Sequence, residues 1–103
     1  MAEKISETAR FFKDIGNPVR LKIILFLMEG EKCLCEILPN FKIAQPTMSR
    51  HLSVLKEHKI IKCNRDGNRI FYKICDDRIP IVLKALNFKI SNVKKVAKCQ
   101  RKN

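Results

Sequence analysis

The sequence has no hydrophobic run long enough to span a bilayer. Its longest, Ile23 to Met28, covers six residues, where about twenty are needed. Internal repeats and low-complexity tracts are also missing, and only three glycines and four prolines punctuate the chain. With 46% hydrophobic residues, the composition is that of a folded domain and excludes a disordered tail. Its 103 residues make one domain, able to bury roughly 65% of its unfolded surface in a modest core. The amino terminus is charged and has no apolar stretch before a small-residue cleavage site, so no signal peptide is expected and the expected compartment is the cytoplasm. An even cysteine count, the mark of a small secreted disulfide scaffold, is lacking too. Five cysteines stand at positions 33, 35, 63, 75 and 99. Only Cys33 and Cys35 are close enough in sequence to form a site by themselves.

Acidic residues are scarce, and the shortage is local. Residues 1–39 carry six basic and six acidic side chains, and residues 40–77 carry eight and four. Residues 78–103 carry eight basic side chains and no acidic one. The formal charge of +12 therefore lies in the second half. A neutral half joined to a basic half points to a polyanion, with nucleic acid ahead of a membrane surface. A solvated lysine-rich surface that keeps the chain soluble is the alternative.

Residues 4–14 have the period of a short amphipathic helix, with Ile5, Ala9 and Phe12 on one stripe, and Gly16 breaks it. Asn17-Pro18 is a strong helix opening, because proline has no N–H to leave unpaired in the first turn. The helix it opens is expected to run to about Met28, where Gly30 stops it, and to be central to the core. A short helix from about Lys32 to Leu38 ends at Pro39-Asn40. The next spans about Ala44 to His58. Its Met48, Leu52 and Leu55 form a buried face, with Thr47, Ser49, Arg50, Ser53 and Lys56 on the exposed remainder. Two helices joined by Pro39–Ile43, the second polar and basic outside, describe a helix-turn-helix.

The period then changes. Ile60–Arg65 and Arg69–Ile74 are β-prone runs flanking Asp66-Gly67-Asn68, a hairpin signal with an arginine on either side. A closing helix is expected from about Arg78 to Lys98, with Ile79, Val82, Leu83, Leu86 and Ile90 apolar. The expected fold is mainly α (α+β): a winged helix-turn-helix with a two-stranded β-hairpin wing and a terminal dimerisation helix. Residues 1–98 would form the DNA-binding and dimerisation domain, and residues 99–103 a basic C-terminal tail. The first and last helices together would form a homodimer.

Four ordered stretches carry a resemblance to one family. They are Asn17-Pro18-Val19-Arg20-Leu21-Lys22-Ile23-Ile24, then Glu31-Lys32-Cys33-Leu34-Cys35-Glu36-Ile37-Leu38, then Gln45-Pro46-Thr47-Met48-Ser49-Arg50-His51-Leu52 followed by Leu55, and last Arg65-Asp66-Gly67-Asn68-Arg69-Ile70-Phe71-Tyr72. In this order and spacing they resemble the helix opening, metal box, recognition helix and wing of the ArsR/SmtB metal-responsive repressors. The resemblance covers nearly the whole chain. It implies a homodimeric repressor on an inverted-repeat operator of double-stranded DNA, released by a soft metal or metalloid ion at the cysteine pair, with no membrane partner.

The residue chemistry agrees with that implication. Gln45, Thr47 and Ser49 can reach base edges or phosphates, and Arg50 can pair with guanine or a phosphate. Lys56 extends the exposed basic face. His51 suits either a structural bond or a phosphate, and Ser49 either a base or the backbone. Arg65 and Arg69 suit a minor groove or the phosphate backbone. Cys33 and Cys35 at a helix start favour thiolates, the form that binds As(III), Sb(III), Zn(II) or Cd(II).

A stable site needs a third or fourth ligand. In the resembled family it often comes from a Cys three residues after the second, where this chain has Leu38, or from an amino-terminal arm, where residues 1–32 have no Cys. The family's other site, of Asp and His on the last helix, has no counterpart, because residues 78–103 contain neither. Cys99 is the favoured third ligand, with Cys63 and Cys75 read as small fillers in the wing. Oxidation of the pair, or no small inducer at all, are the alternatives within this class. A thiol oxidoreductase is disfavoured, since Cys-x-Cys lacks the common redox spacing and no general base adjoins it. No catalytic constellation is present, so the chain is not expected to be an enzyme. A DNA-coating protein that relies on charge alone is a further alternative, distinguished by a lack of sequence preference.

Overall fold

A computed structural model describes residues 1–89. Helix α1 (Ala2–Ile15) ends where Gly16 turns the chain, its N–H bonded to Phe12 O at 2.9 Å. A Cβ at position 16 would lie 2.8 Å from that same oxygen, so the turn requires glycine. Helix α2 (Pro18–Leu27) opens as the sequence predicts: Asn17 Oδ1 accepts from Val19 N (2.9 Å) and Arg20 N (3.2 Å) with proline in the first turn. Its Ile23, Ile24 and Leu27 are buried at the centre of the core.

Strand β1 (Lys32–Cys33) leads directly into α3 (Leu34–Asn40). Helix α4 (Gln45–Glu57) follows, with Met48, Leu52 and Leu55 buried as the spacing requires. It closes on Lys59 at φ 62°, with Ile60 N bonded to Leu55 O (2.9 Å) and Lys59 N to Lys56 O (3.0 Å). That is the left-handed closure in which a helix hands its last carbonyls to the two residues beyond its cap.

Strands β2 (Ile61–Asp66) and β3 (Arg69–Ile74) form the expected hairpin, with Asp66 opposite Arg69 and Ile61 opposite Ile74. Gly67, the first loop residue, has φ 63°, while Asn68 stays at negative φ, the pattern of a type II′ turn. The sheet, however, has three strands in the order β1-β3-β2. Lys32 and Cys33 pair with Tyr72 and Phe71 instead of beginning a helix. Two residues are too short a run for a period to announce a strand; the exposed edge of β3 recruits them.

Helix α5 (Arg78–Ala85) is shorter than expected. Asn87, at φ 68°, ends it, with Phe88 N bonded to Leu83 O (3.0 Å) and Asn87 N to Lys84 O (3.0 Å). A continuous helix through residues 86–89 is thus replaced by a closing turn, since asparagine tolerates the left-handed conformation that terminates a helix. Ile90, the expected helix up to Lys98, Cys99 and the tail 99–103 lie outside the described residues.

Arg78 ties the start of α5 to α1. Its guanidinium pairs with the fully buried Asp76 and lies 4.1 Å from the centroid of the Phe11 ring. The bond to Asp76 raises its already high pKa, against the effect of burial. The buried side of α1 carries Phe11, Asp14 and Ile15, while Ile5 and Phe12 of the predicted stripe are 63% and 55% exposed. Ile81 and Leu86 at the other end of the chain are 67% and 61% exposed. The described residues contain no helix long and apolar enough to cross a membrane.

Candidate DNA-binding surface and thiol pair

Helix α4 is anchored by Met48, Leu52 and Leu55, which fixes what its other sides present. Gln45, Thr47, Ser49, Arg50 and Lys56 are all exposed. Opposite the buried stripe the crown carries Arg50 and Ser53; Thr47 and His51 lie along one flank, and Gln45, Ser49 and Lys56 along the other. Arg65 and Arg69 are exposed at the hairpin tip, and neither takes part in an ion pair among the described residues. The crown and flanks of one helix and the tip of the wing thus present four cations beside small hydrogen-bonding groups. Such a surface matches a duplex, whose phosphates take the cations and whose base edges take the polar groups.

What holds α4 in place is a set of contacts from distant parts of the chain. Asp14 of α1, only 4% exposed, has its Oδ2 2.6 Å from Nδ1 of His58, the residue that caps α4. Arg20 of α2 donates from Nε to Asp14 O (2.6 Å) and from one guanidinium nitrogen to Lys13 O (3.2 Å). Its remaining nitrogen lies 3.4 Å from Nδ1 of His51. The α1–α2 corner therefore grips α4 at two points two turns apart. The signal available was that both histidines of the chain lie at i and i+7 of one helix. Burial, and then the charges of Arg20 and Arg50, lower the pKa of His51.

Cys33 and Cys35 lie at the junction of sheet and helix. Cys33 is the last residue of β1 and the N-cap of α3; it is buried, whereas Cys35 is exposed. Cys33 Sγ accepts from Cys35 N (3.1 Å), and Glu36 Oε1 accepts from Cys33 N (3.0 Å), a capping box with sulfur in the usual hydroxyl position. The two sulfurs are joined as a disulfide, with the Cα atoms 5.0 Å apart.

Cys63 pairs across the sheet with Tyr72, while Cys33 pairs with the adjacent Phe71. Alternation along β3 places the two cysteines on opposite faces, so Cys63 does not complete a site with the pair. Burial, and secondarily Cys63, raise the pKa of the Tyr72 phenol, against a smaller opposite effect of Arg65. Cys75 is buried just past β3, with its sulfur 3.4 Å from Lys59 O, and it is not a free thiol, so it is more than the small filler expected; Cys63 is free and only half-buried. Among the described residues no group of three or more His, Cys, Asp or Glu is placed to hold a metal ion. The described residues supply two sulfurs, and these do not fit a closed three- or four-ligand site.

Known proteins resemble this chain over most of the described residues. Residues 17–62 match the model of the bacterial regulatory protein arsR family, a span from the opening of α2 into β2. An HTH-type transcriptional regulator of Methanocaldococcus jannaschii is 41% identical over 86 residues, which are 82% of this chain and 97% of that protein. A probable mercury resistance operon repressor of Streptomyces lividans is 38% identical over 72 residues, 70% of this chain and 58% of that one. A homodimeric winged helix-turn-helix DNA-binding domain from Mycobacterium bovis superposes with a TM-score of 0.74 at 26% identity, over 84% of this chain and 80% of its own. With the extent of the first of these relatives and the four motifs now placed on one fold, the chain belongs to the arsR family of bacterial regulatory proteins, DNA-binding transcriptional repressors built on a winged helix-turn-helix.

Proposed function

We propose that the chain represses transcription in the cytoplasm as a homodimer on an inverted-repeat operator, and that chemistry at Cys33 and Cys35 releases it. The observation that carries this reading is the position of the pair: one cysteine is at once the end of a strand paired to the wing and the cap of the helix preceding α4. A change at the sulfurs therefore acts on both DNA-contacting elements together. The exposed Ile5, Phe12, Ile81 and Leu86 supply apolar surface for the second copy, and the homodimeric structural relative supports that use. Gln45, Thr47, Ser49, Arg50, His51 and Lys56 would enter or border the major groove, with Arg65 and Arg69 on the neighbouring backbone or minor groove.

Interconversion of dithiol and disulfide is the chemistry best supported for release, because the two sulfurs are joined and the change needs no third ligand. Two protons and two electrons leave the thiols for an oxidant of the peroxide or disulfide class. The accessible Cys35 is the sulfur attacked or attacking first, and the buried Cys33 closes the bond. Capture of a soft ion such as As(III), Sb(III), Zn(II) or Cd(II) is the second reading, favoured by the relative named as a mercury resistance operon repressor. It requires a further sulfur, for which Cys99 remains the choice.

Selection of randomised duplexes with the reduced chain, followed by release assays, tests the proposal. An enriched inverted repeat that is released by a mild thiol oxidant supports it. Release by As(III) or Cd(II) but not by oxidant replaces the first chemistry with the second, and release by neither removes the cysteine pair from the mechanism.

A further inference from the structure

The chain's two histidines face opposite partners. Nδ1 of His58 lies 2.6 Å from the Asp14 carboxylate, an acceptor. Nδ1 of His51 lies 3.4 Å from the Arg20 guanidinium, which has donors only. Arg20 is not free to rotate away, because its other two nitrogens are spent on Asp14 O and Lys13 O. A neutral imidazole carries one proton, and the nitrogen that meets a donor must be the bare one. No buried side-chain nitrogen or oxygen among the described residues lacks a partner. His51 Nε2 has no partner among the described residues, so it is open to solvent.

We propose that Arg20 holds His51 as a neutral imidazole with its proton on Nε2, and that this outward N–H donates to a phosphate oxygen of bound DNA. The inference rests on α4 being the helix in the groove. The flank position selects phosphate over base: His51 lies beside Thr47, one turn away, and not on the crown occupied by Arg50 and Ser53, which points to the groove floor. Arg20 is thus a positioning residue that never touches DNA. It also opposes protonation, since an imidazolium has no lone pair to offer it, in keeping with the lowered pKa of His51. The contact is consequently a neutral hydrogen bond within a cationic surface, and releases no counterion of its own.

Two measurements decide it. Long-range nitrogen–proton correlation of the histidine rings in the free, reduced protein is expected to show the Nε2–H form for His51 and the Nδ1–H form for His58. Arg20→Met is expected to mix the two forms at His51 alone. An Nδ1–H form or an even mixture at His51 in the unsubstituted protein overturns the proposal, whether or not the Arg20 variant folds.

Binding to a mixed-sequence duplex tests the phosphate contact apart from any operator. Glutamine places an N–H where Nε2 stands and asparagine places one where Nδ1 stands. His51→Gln is therefore expected to hold affinity within about twofold, while His51→Asn loses about tenfold, the worth of one hydrogen bond to a charged group. In both variants the dependence of log K on log salt keeps its slope. Equal losses in the two variants, or a changed slope, overturn the contact. A protein that binds this duplex with the expected pattern yet prefers no inverted repeat refutes the operator reading and leaves the His51 contact standing.

Discussion

Cys33 lies directly across the sheet from Phe71, two residues along β3 from the wing arginine Arg69. The same cysteine caps α3 through its sulfur. The capping role and the regulatory role can be separated, because serine caps a helix at least as well as a thiol but forms no disulfide and is a poor ligand for soft ions. Cys33→Ser is expected to keep its operator affinity and its stability to within about 0.5 kcal/mol. Cys35→Ser, at an exposed position, should do the same. Both variants should remain on the operator in oxidant concentrations that release the parent protein. Footprinting across an oxidant titration checks this, and release of either variant at the parent's midpoint would remove the pair from the switch.

The buried carboxylate of Asp14 predicts a stability effect away from the exposed crown of α4 and the wing tip. Asp14→Ala leaves His58 without its partner at a half-buried position and opens a gap beside α4. A loss of about 1–3 kcal/mol is expected by urea unfolding. His58→Ala should cost less once Asp14 has been replaced, giving a coupling of at least about 0.5 kcal/mol in the double-mutant cycle. Additive effects would show that the contact at 2.6 Å does not join α1 to α4 in solution.

The sequence made the helix-turn-helix and the hairpin legible because their signals are local. Asn17-Pro18 starts a helix wherever it occurs in an apolar-periodic segment, and the Met48, Leu52 and Leu55 spacing admits one buried face. The third strand was hidden, because Lys32 and Cys33 become a strand only when β3 offers its edge. The end of α5 was missed for another reason: apolar periodicity continues past Asn87 and outweighed the asparagine that closes the helix. The clamp of Arg20, Asp14 and the two histidines joins positions 31 to 44 residues apart. No period or motif encodes such pairs, although Asp14 between Phe11 and Ile15 on the inner side of α1 marked a buried carboxylate in need of a partner.

His51 gives the pH dependence of stability a definite sign. Its folded pKa is lowered by burial first and then by Arg20 and Arg50, whereas the unfolded chain takes up the proton near the ordinary value of 6.5. As the pH falls, the unfolded state therefore binds the proton before the native state does. The contribution is fully present above about pH 6.5 and is lost progressively as the pH falls through the lower native value. The comparison to make is with His51→Gln, which retains Arg20, Arg50, Asp14 and His58 and lacks only this titration. The stability of the parent minus that of the variant should fall from pH 7.5 to pH 5 by about 1 kcal/mol or less for so accessible a group. A difference that rises on acidification would place His51 next to an acid instead of Arg20.

The wing arginines give a charge count that also reports the assembly. Arg65 and Arg69 are exposed, with Ile70 opposite the first and Asp66 opposite the second, and neither is in an ion pair among the described residues. If each neutralises one phosphate, removing one lowers the slope of log K against log salt by about 0.9 per protein–DNA contact. A dimer carries two copies, so Arg69→Ala should flatten the slope by about two. A monomer on DNA should lose only about one. The affinity should fall alike for the operator and for random duplexes, because phosphates carry no sequence information. Arg50→Ala, by contrast, should lose more on the operator than on random DNA if the crown of α4 faces the base edges as proposed. An unchanged slope for Arg69→Ala would take the wing off the DNA while leaving α4 in the groove.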